Sequence, residues 1–170
     1  LCSPLYISAL GGAVGVPIGY AGNLLKAIPG VPFGSSQAIS GLHVFWVVLA
    51  AMLVRKAGSG TMTGFLKGFV ELFLFSCRGI FVLLISVVEG ITVDIVLTIL
   101  ERISIPSIYL AGGFSSASNV VVLQLLLLPS LTPAILVFMY STSFLSGLMF
   151  AGYLGKRVLE TLPLIRRVID

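Results

Sequence analysis

The sequence predicts an all-α integral membrane protein, a bundle of six transmembrane helices with both termini cytoplasmic. Three observations carry that prediction. Of 170 residues, 58% are apolar and 9% charged, where a soluble domain carries about 25% charged residues. Apolar runs recur six times between Gly/Pro/Ser-rich breaks, and six spans of ~20 residues need about 120 residues, leaving roughly 50 for connections. The basic residues gather in alternate connections. A water-soluble enzyme is excluded by composition. The net charge of +4 does not support nucleic-acid binding, because the basic residues form no stripe and no aromatic-basic alternation.

The helices are expected at Pro4–Leu25, Ala38–Val54, Met62–Ser76, Ile80–Leu100, Ser107–Leu128 and Pro133–Gly155. Breaks fall at Pro29, Pro32 and Gly34-Ser35-Ser36, then Ala57-Gly58-Ser59-Gly60, Arg78-Gly79, Pro106 and Pro129–Pro133. The third helix, at 15 residues, is short for a full span. No soluble insert and no internal repeat is visible, so residues 1–170 read as one domain, with 158–170 a cytoplasmic tail. Arg55, Lys56, Arg102, Lys156, Arg157, Arg166 and Arg167 lie on one side and Lys26 and Arg78 on the other. That asymmetry of seven against two puts both termini in the cytoplasm. No basic stretch precedes the first apolar run, which argues against a signal peptide. Cys2 and Cys77 fall at opposite faces in this topology, so they read as small apolar fillers rather than a disulfide.

Four charged residues stand inside these spans, each costing roughly 2.5–3.5 kcal/mol to insert. Lys67 and Glu71 are spaced i,i+4 and can neutralise each other. Glu89 and Asp94 are separated by about 140° around their helix, so they serve different neighbours. Counting from Ile80, Glu89 lies near mid-depth and Asp94 about 21 Å down. Glu89 therefore suits a pocket opening outward, or a buried structural hydrogen bond, while Asp94 suits a helix–helix contact nearer the cytoplasm. His43 and Trp46 in helix two, Asn119 and Gln124 in helix five, and Tyr140 with Ser141 in helix six occupy the outer half as well. Carboxylates, an amide and aromatic faces together suit a flat nitrogen-containing solute, including a cationic one. Singly, His43 also reads as a buried structural histidine, and Trp46 and Tyr140 as interface anchors.

Helix one carries Ala9-xxx-Ala13 and Gly11-xxx-Gly15-xxx-Gly19 on adjacent faces, and helix three carries Gly64-xxx-Gly68. Such patterns admit a close helix neighbour, either within the chain or on a partner. Pro17 is expected to kink helix one. There is no phosphate-binding loop: Gly152-Tyr-Leu-Gly155-Lys156-Arg157 has the wrong spacing and no hydroxyl residue. The single histidine and the lack of a Gly-x-Ser-Gly exclude an intramembrane serine protease. No His-Glu-x-x-His or other metal-ligand spacing occurs, and no cofactor is called for.

Several stretches resemble a known family: Trp46–Gly58 (WVVLAAMLVRKAG), Val70-Glu71, Val87–Leu97 (VVEGITVDIVL) and Leu148–Lys156 (LMFAGYLGK), together with the Ala9-xxx-Ala13 first helix. From about Gly22 to Leu159 the chain is similar to the substrate-binding S components of energy-coupling factor (ECF) vitamin transporters, nearest to the YkoE-like branch associated with thiamine or hydroxymethylpyrimidine. The resemblance implies a non-enzymatic, multi-pass protein of a prokaryotic cytoplasmic membrane that captures such a solute from outside. Depth and chemistry, together with the partial likeness, mark Glu71, Glu89, Trp46, His43, Asn119 and Tyr140 as substrate-binding candidates, and the loop Asn23–Gln37, rich in Gly, Pro and Ser, is long enough to close over the solute. The resemblance further implies a transmembrane coupling subunit, docked on Ala9 and Ala13, and two ATPase subunits. Alternatives are an S component for another small vitamin, and a non-transporting membrane scaffold.

Overall fold

A computed structural model describes residues 2–27, 35–74, 79–100, 104–126 and 132–161. Expectations that fall on Cys77, on the breaks at Pro29, Pro32 and Pro129, on the ends of helices three and five at Ser76 and Leu128, and on the tail beyond Thr161 lie outside them. The described residues are helical, in the order α1 (Cys2–Ala27), a 3-10 turn (Ser35–Ile39), α2 (Ser40–Val54), α3 (Ser59–Phe73), α4 (Phe81–Ile99), α5 (Ile105–Leu126) and α6 (Pro133–Ser146). The last helix continues without a break through a π-helical stretch, Gly147–Leu154, into α7 (Gly155–Thr161). Helices suit an apolar solvent because they satisfy their own backbone polar groups.

Helix α2 is the axis of the bundle. It packs against α1, α3, α4, α5 and the α6/π segment, and ten of its 15 residues are buried. Its apolar residues point in all directions, as a centrally buried helix requires. Val44, Val47, Val48, Ala51 and Met52 form the core with Val93 and Leu97 of α4, Ile108 and Ala111 of α5, and Ala151 of the π stretch.

Among the described residues, four spans are long and apolar enough to cross a membrane: Gln37–Val54, Phe81–Ile99, Ile105–Leu126 and Pro133–Val158. Six such spans were expected; α3, at 15 residues, is too short to count among the four. Helix α3 is also built inside out. Its buried face is Ser59, Gly60, Thr63, Gly64, Lys67, Gly68 and Glu71, while Met62, Phe65, Phe69 and Phe73 point outward. Aromatic contacts along that outer row, Phe65–Phe69 and Phe69–Phe73, line the helix surface. Such an arrangement is stable only where the exterior is apolar.

Helix α3 begins at Ser59, three residues before the expected Met62, within the expected Ala57–Gly60 break. The reason is a cap supplied from another helix. The Asp94 carboxylate of α4 accepts from the backbone N–H groups of Gly60 (3.1 Å) and Thr61 (2.7 Å) and from the Thr61 hydroxyl (2.8 Å). A carboxylate at a helix N-terminus satisfies orphan donors and complements the helix dipole. Asp94 is therefore a helix–helix contact, as its spacing from Glu89 suggested. Gly60 and Gly90 touch backbone to backbone just below, and side chains there would overlap the facing carbonyls. Helix α5 likewise begins at Ile105, with Pro106 in its first turn, where a missing N–H costs nothing.

Asp94→Ala strands these α3 donors and is expected to lower stability by roughly 1–3 kcal/mol. Thermal unfolding of the detergent-solubilised protein reads this directly, and an unchanged midpoint would show that the cap is dispensable.

Candidate functional site

Four helices bring one polar cluster together at the end of the bundle bearing the Ser35–Ile39 turn. Lys67 and Glu71 lie one turn apart on the inner face of α3. His43 enters from the first turn of α2, Ser86 and Glu89 from α4, and Ser115 and Asn119 from α5. The Lys67 ammonium stands 3.0 Å from Glu71 Oε1 and 3.9 Å from Glu89 Oε2, and donates to the Ser86 hydroxyl at 3.4 Å. His43 Nδ1 lies 3.5 Å from Glu71 Oε1. Asn119 Nδ2 donates to Glu89 Oε1 at 3.2 Å, and the Ser115 hydroxyl donates to the Glu89 backbone carbonyl at 2.9 Å.

Burial makes the cluster energetically consequential. Lys67, Glu71 and Glu89 are each 1% exposed and Asn119 is fully buried. Ions taken so far from water are stable only when paired and hydrogen-bonded. The i,i+4 pairing foreseen for Lys67 and Glu71 is present, but Lys67 also reaches across to α4. The carbonyl oxygen of Asn119 is buried with no hydrogen-bond partner among the described residues, an acceptor held ready at the edge of the cluster.

Helix α1 closes one side. At Gly15 any β-carbon would overlap the Glu71 carboxylate, and at Gly12 it would meet Val70 and the Lys67 carbonyl. At Gly11 it would stand 2.8 Å from Trp46 Cβ. The glycine face of α1 is thus occupied by the chain itself. Ala9 and Ala13, on the adjacent face, are exposed together with Leu10 and Val14.

The candidates named from sequence divide accordingly. His43, Glu71, Glu89 and Asn119 converge. Trp46 lies one turn deeper on α2, half-buried against α1 and edge-on to Phe45. Tyr140 pairs elsewhere, its hydroxyl donating to Gln124 Oε1 at 2.9 Å between α6 and α5. Lys67 was read only as the partner of Glu71, and its second carboxylate depends on how α3 and α4 pack.

Sequence reasoning missed a serine lattice beside the cluster. The Ser40 hydroxyl donates to the Gln37 carbonyl at 2.7 Å and meets those of Ser116 and Ser143 at 2.9 and 3.0 Å. Ser146 donates to the Ala38 carbonyl at 2.6 Å and accepts from the Gly41 N–H at 3.0 Å. These bonds pin the start of α2 to α5 and α6. The density of serines in Ser115–Ser118 and Ser141–Ser146 was the available signal.

Two surface clefts lie away from the cluster. One of about 370 Å³ runs along Ala57, Thr61, Ile91 and Asp94, where the Asp94 carboxylate is already committed to its cap. The other, about 510 Å³, is an apolar groove between Tyr109, Met149 and Tyr153. Among the described residues, no group of three His, Cys, Asp or Glu side chains is placed to hold a metal ion.

Residues 4–118 match the family described as "ABC-type cobalt transport system, permease component". A Bacillus subtilis (strain 168) protein named "Putative HMP/thiamine permease protein YkoE" is 31% identical over 129 residues, or 74% of this chain. The chain spans 65% of the length of that curated relative. A solved structure described as "Crystal structure of an S-component of ECF transporter" superposes with a TM-score of 0.87 at 26% identity. That match covers 99% of this chain and 85% of the other. All three are transport proteins rather than enzymes, in keeping with the absence of nucleophile and nucleotide motifs from the sequence. Profile and fold both mark a membrane transport component: the chain belongs to this family of ABC-type transport-system permease components, and its fold is that of an S component of an ECF transporter.

Proposed function

We propose that this protein captures thiamine or hydroxymethylpyrimidine at the His43–Lys67–Glu71–Glu89–Asn119 cluster, for uptake driven by partner ATPases. The observation that carries this reading is the convergence of two buried carboxylates and a buried amide acceptor in a fold shared with an S component. The name of the YkoE relative points to the same two solutes. The thiazolium of thiamine is a fixed cation that a desolvated carboxylate attracts strongly. The aminopyrimidine offers N–H donors that the Asn119 carbonyl and a carboxylate can accept. Trp46, one turn deeper on α2, supplies an aromatic face for the rings. The cluster is sealed at the level of its side chains, so a solute reaches it when the surrounding helices part.

In this reading all six helices span a prokaryotic cytoplasmic membrane, with both termini inside and the cluster nearer the outer face. The exposed Ala9/Ala13 face of α1 docks a transmembrane coupling subunit that carries two ATPase subunits. Small residues let that partner approach the α1 backbone closely. A non-transporting scaffold would need the Gly11/Gly15 stripe for its partner, and that stripe is filled by Trp46 and Glu71.

Isothermal titration of the purified protein with thiamine and then with hydroxymethylpyrimidine tests the assignment. Binding of at least one of them at one site per chain is expected, and Glu89→Gln should weaken thiamine by more than tenfold. Folded protein that is silent to both would redirect the search to other vitamins. Bulky residues at Ala9 and Ala13 are expected to abolish ATP-driven uptake in reconstituted vesicles while leaving solute binding intact. Loss of binding in those variants would make this face part of the internal packing.

A further inference from the structure

The proposed solute site contains its own cation. We infer that Lys67 is a specificity-determining residue that sets the site's net charge: its ammonium neutralises Glu71, so the cluster presents one negative charge and selects a monocationic ring over its neutral counterpart. This inference rests on the solute reading above and goes beyond it, because it assigns the two carboxylates different tasks.

The geometry supports an unequal division. Lys67 Nζ lies 3.0 Å from Glu71 and 3.9 Å from Glu89. Lys67 and Glu71 share one helix face, so their spacing is fixed by the backbone and survives small movements between helices. The longer contact to Glu89 spans α3 and α4 and has no such constraint. Glu71 is further enclosed by His43 and by the α1 backbone at Gly15, which leaves little room for a ligand atom. Glu89 is oriented instead by a neutral amide, Asn119, whose own carbonyl is available to a donor. Apart from His43, which is charged only when protonated, two carboxylates and one ammonium among the described residues of the cluster leave a single negative charge. All three ions are buried, so salt and water screen that charge weakly. A monocation restores neutrality; a neutral pyrimidine leaves the excess in place.

A charge-cancelling series tests this. The quantity read is the ratio of dissociation constants for hydroxymethylpyrimidine, which is neutral, and thiamine, which is cationic. The unmodified protein is expected to favour thiamine. Glu71→Gln brings the cluster to zero net charge, and the ratio should fall at least tenfold. Lys67→Met/Glu71→Gln returns it to one negative charge, and the ratio should recover to within about threefold of the starting value. Exchanging a buried ion pair for neutral side chains of similar volume is well tolerated, and Lys67→Gln/Glu71→Gln provides a second version of the same charge state. Lys67→Met alone takes the cluster to two negative charges, and the ratio should rise above that of the unmodified protein.

Failure of both double variants to recover the ratio, in folded protein, overturns the inference and makes Lys67 or Glu71 a direct ligand contact. Collapse of the ratio in Lys67→Met overturns it as well. Unmodified protein that binds neither compound fails at the earlier step: the solute assignment falls, and the charge role falls with it. Binding without recovery refutes the charge role alone.

Discussion

Moving an ammonium and two carboxylates out of water costs several kcal/mol per ion unless each finds partners, and this bundle takes all three to near-complete burial. The arrangement of the helices answers that cost. Helix α3 turns its polar face inward, α4 and α5 supply the second carboxylate and the amide, and α2 contributes the histidine. Helix α1 seals the remaining side with glycines, since any larger residue at Gly15 would collide with Glu71. The aromatic residues that a soluble helix would bury are left on the outside of α3, where hydrocarbon accepts them. The chemistry inside the bundle and the apolar medium outside it thus require each other.

Small residues do most of the joining. In an apolar solvent helices gain little from burying leucine, so close backbone contact and interhelical hydrogen bonds hold the bundle together. Gly60 with Gly90, and Gly112 with Gly147, bring carbonyls against neighbouring backbones. The Asp94 cap fixes one end of the α3–α4 pair, and the serine lattice fixes the opposite end of α2 against α5 and α6. The charged cluster lies between these two anchors. Its side chains are therefore held by helices whose positions are set elsewhere, as a binding site requires.

Much of this was legible in the sequence because apolar runs and their breaks are strong, local signals. The six helices, the end of α2 at Val54 and the different neighbours of Glu89 and Asp94 all followed from spacing. What the sequence did not disclose was non-local. The start of α3 depends on a carboxylate 33 residues beyond Thr61. The second partner of Lys67 depends on the register between α3 and α4, and the separation of Tyr140 from the cluster depends on where α6 meets α5. The two stripes of α1 looked alike as text, and only packing distinguishes the glycine face, turned inward, from the alanine face, turned outward. The π-helical stretch Gly147–Leu154 carried no composition cue beyond its glycines.

The two faces of α1 are separated by little more than the helix backbone, a cylinder of about 2.3 Å radius. Ala13 on the outside and Gly15 on the inside are two positions apart in sequence, so the outer surface lies one backbone away from the Glu71 carboxylate. A helix so thin at that level carries almost no side-chain padding to absorb a push from either side. An environment-sensitive fluorophore attached on the exposed face would therefore sit within one helix diameter of the buried charges. It would offer an optical readout of the site without placing any label inside it.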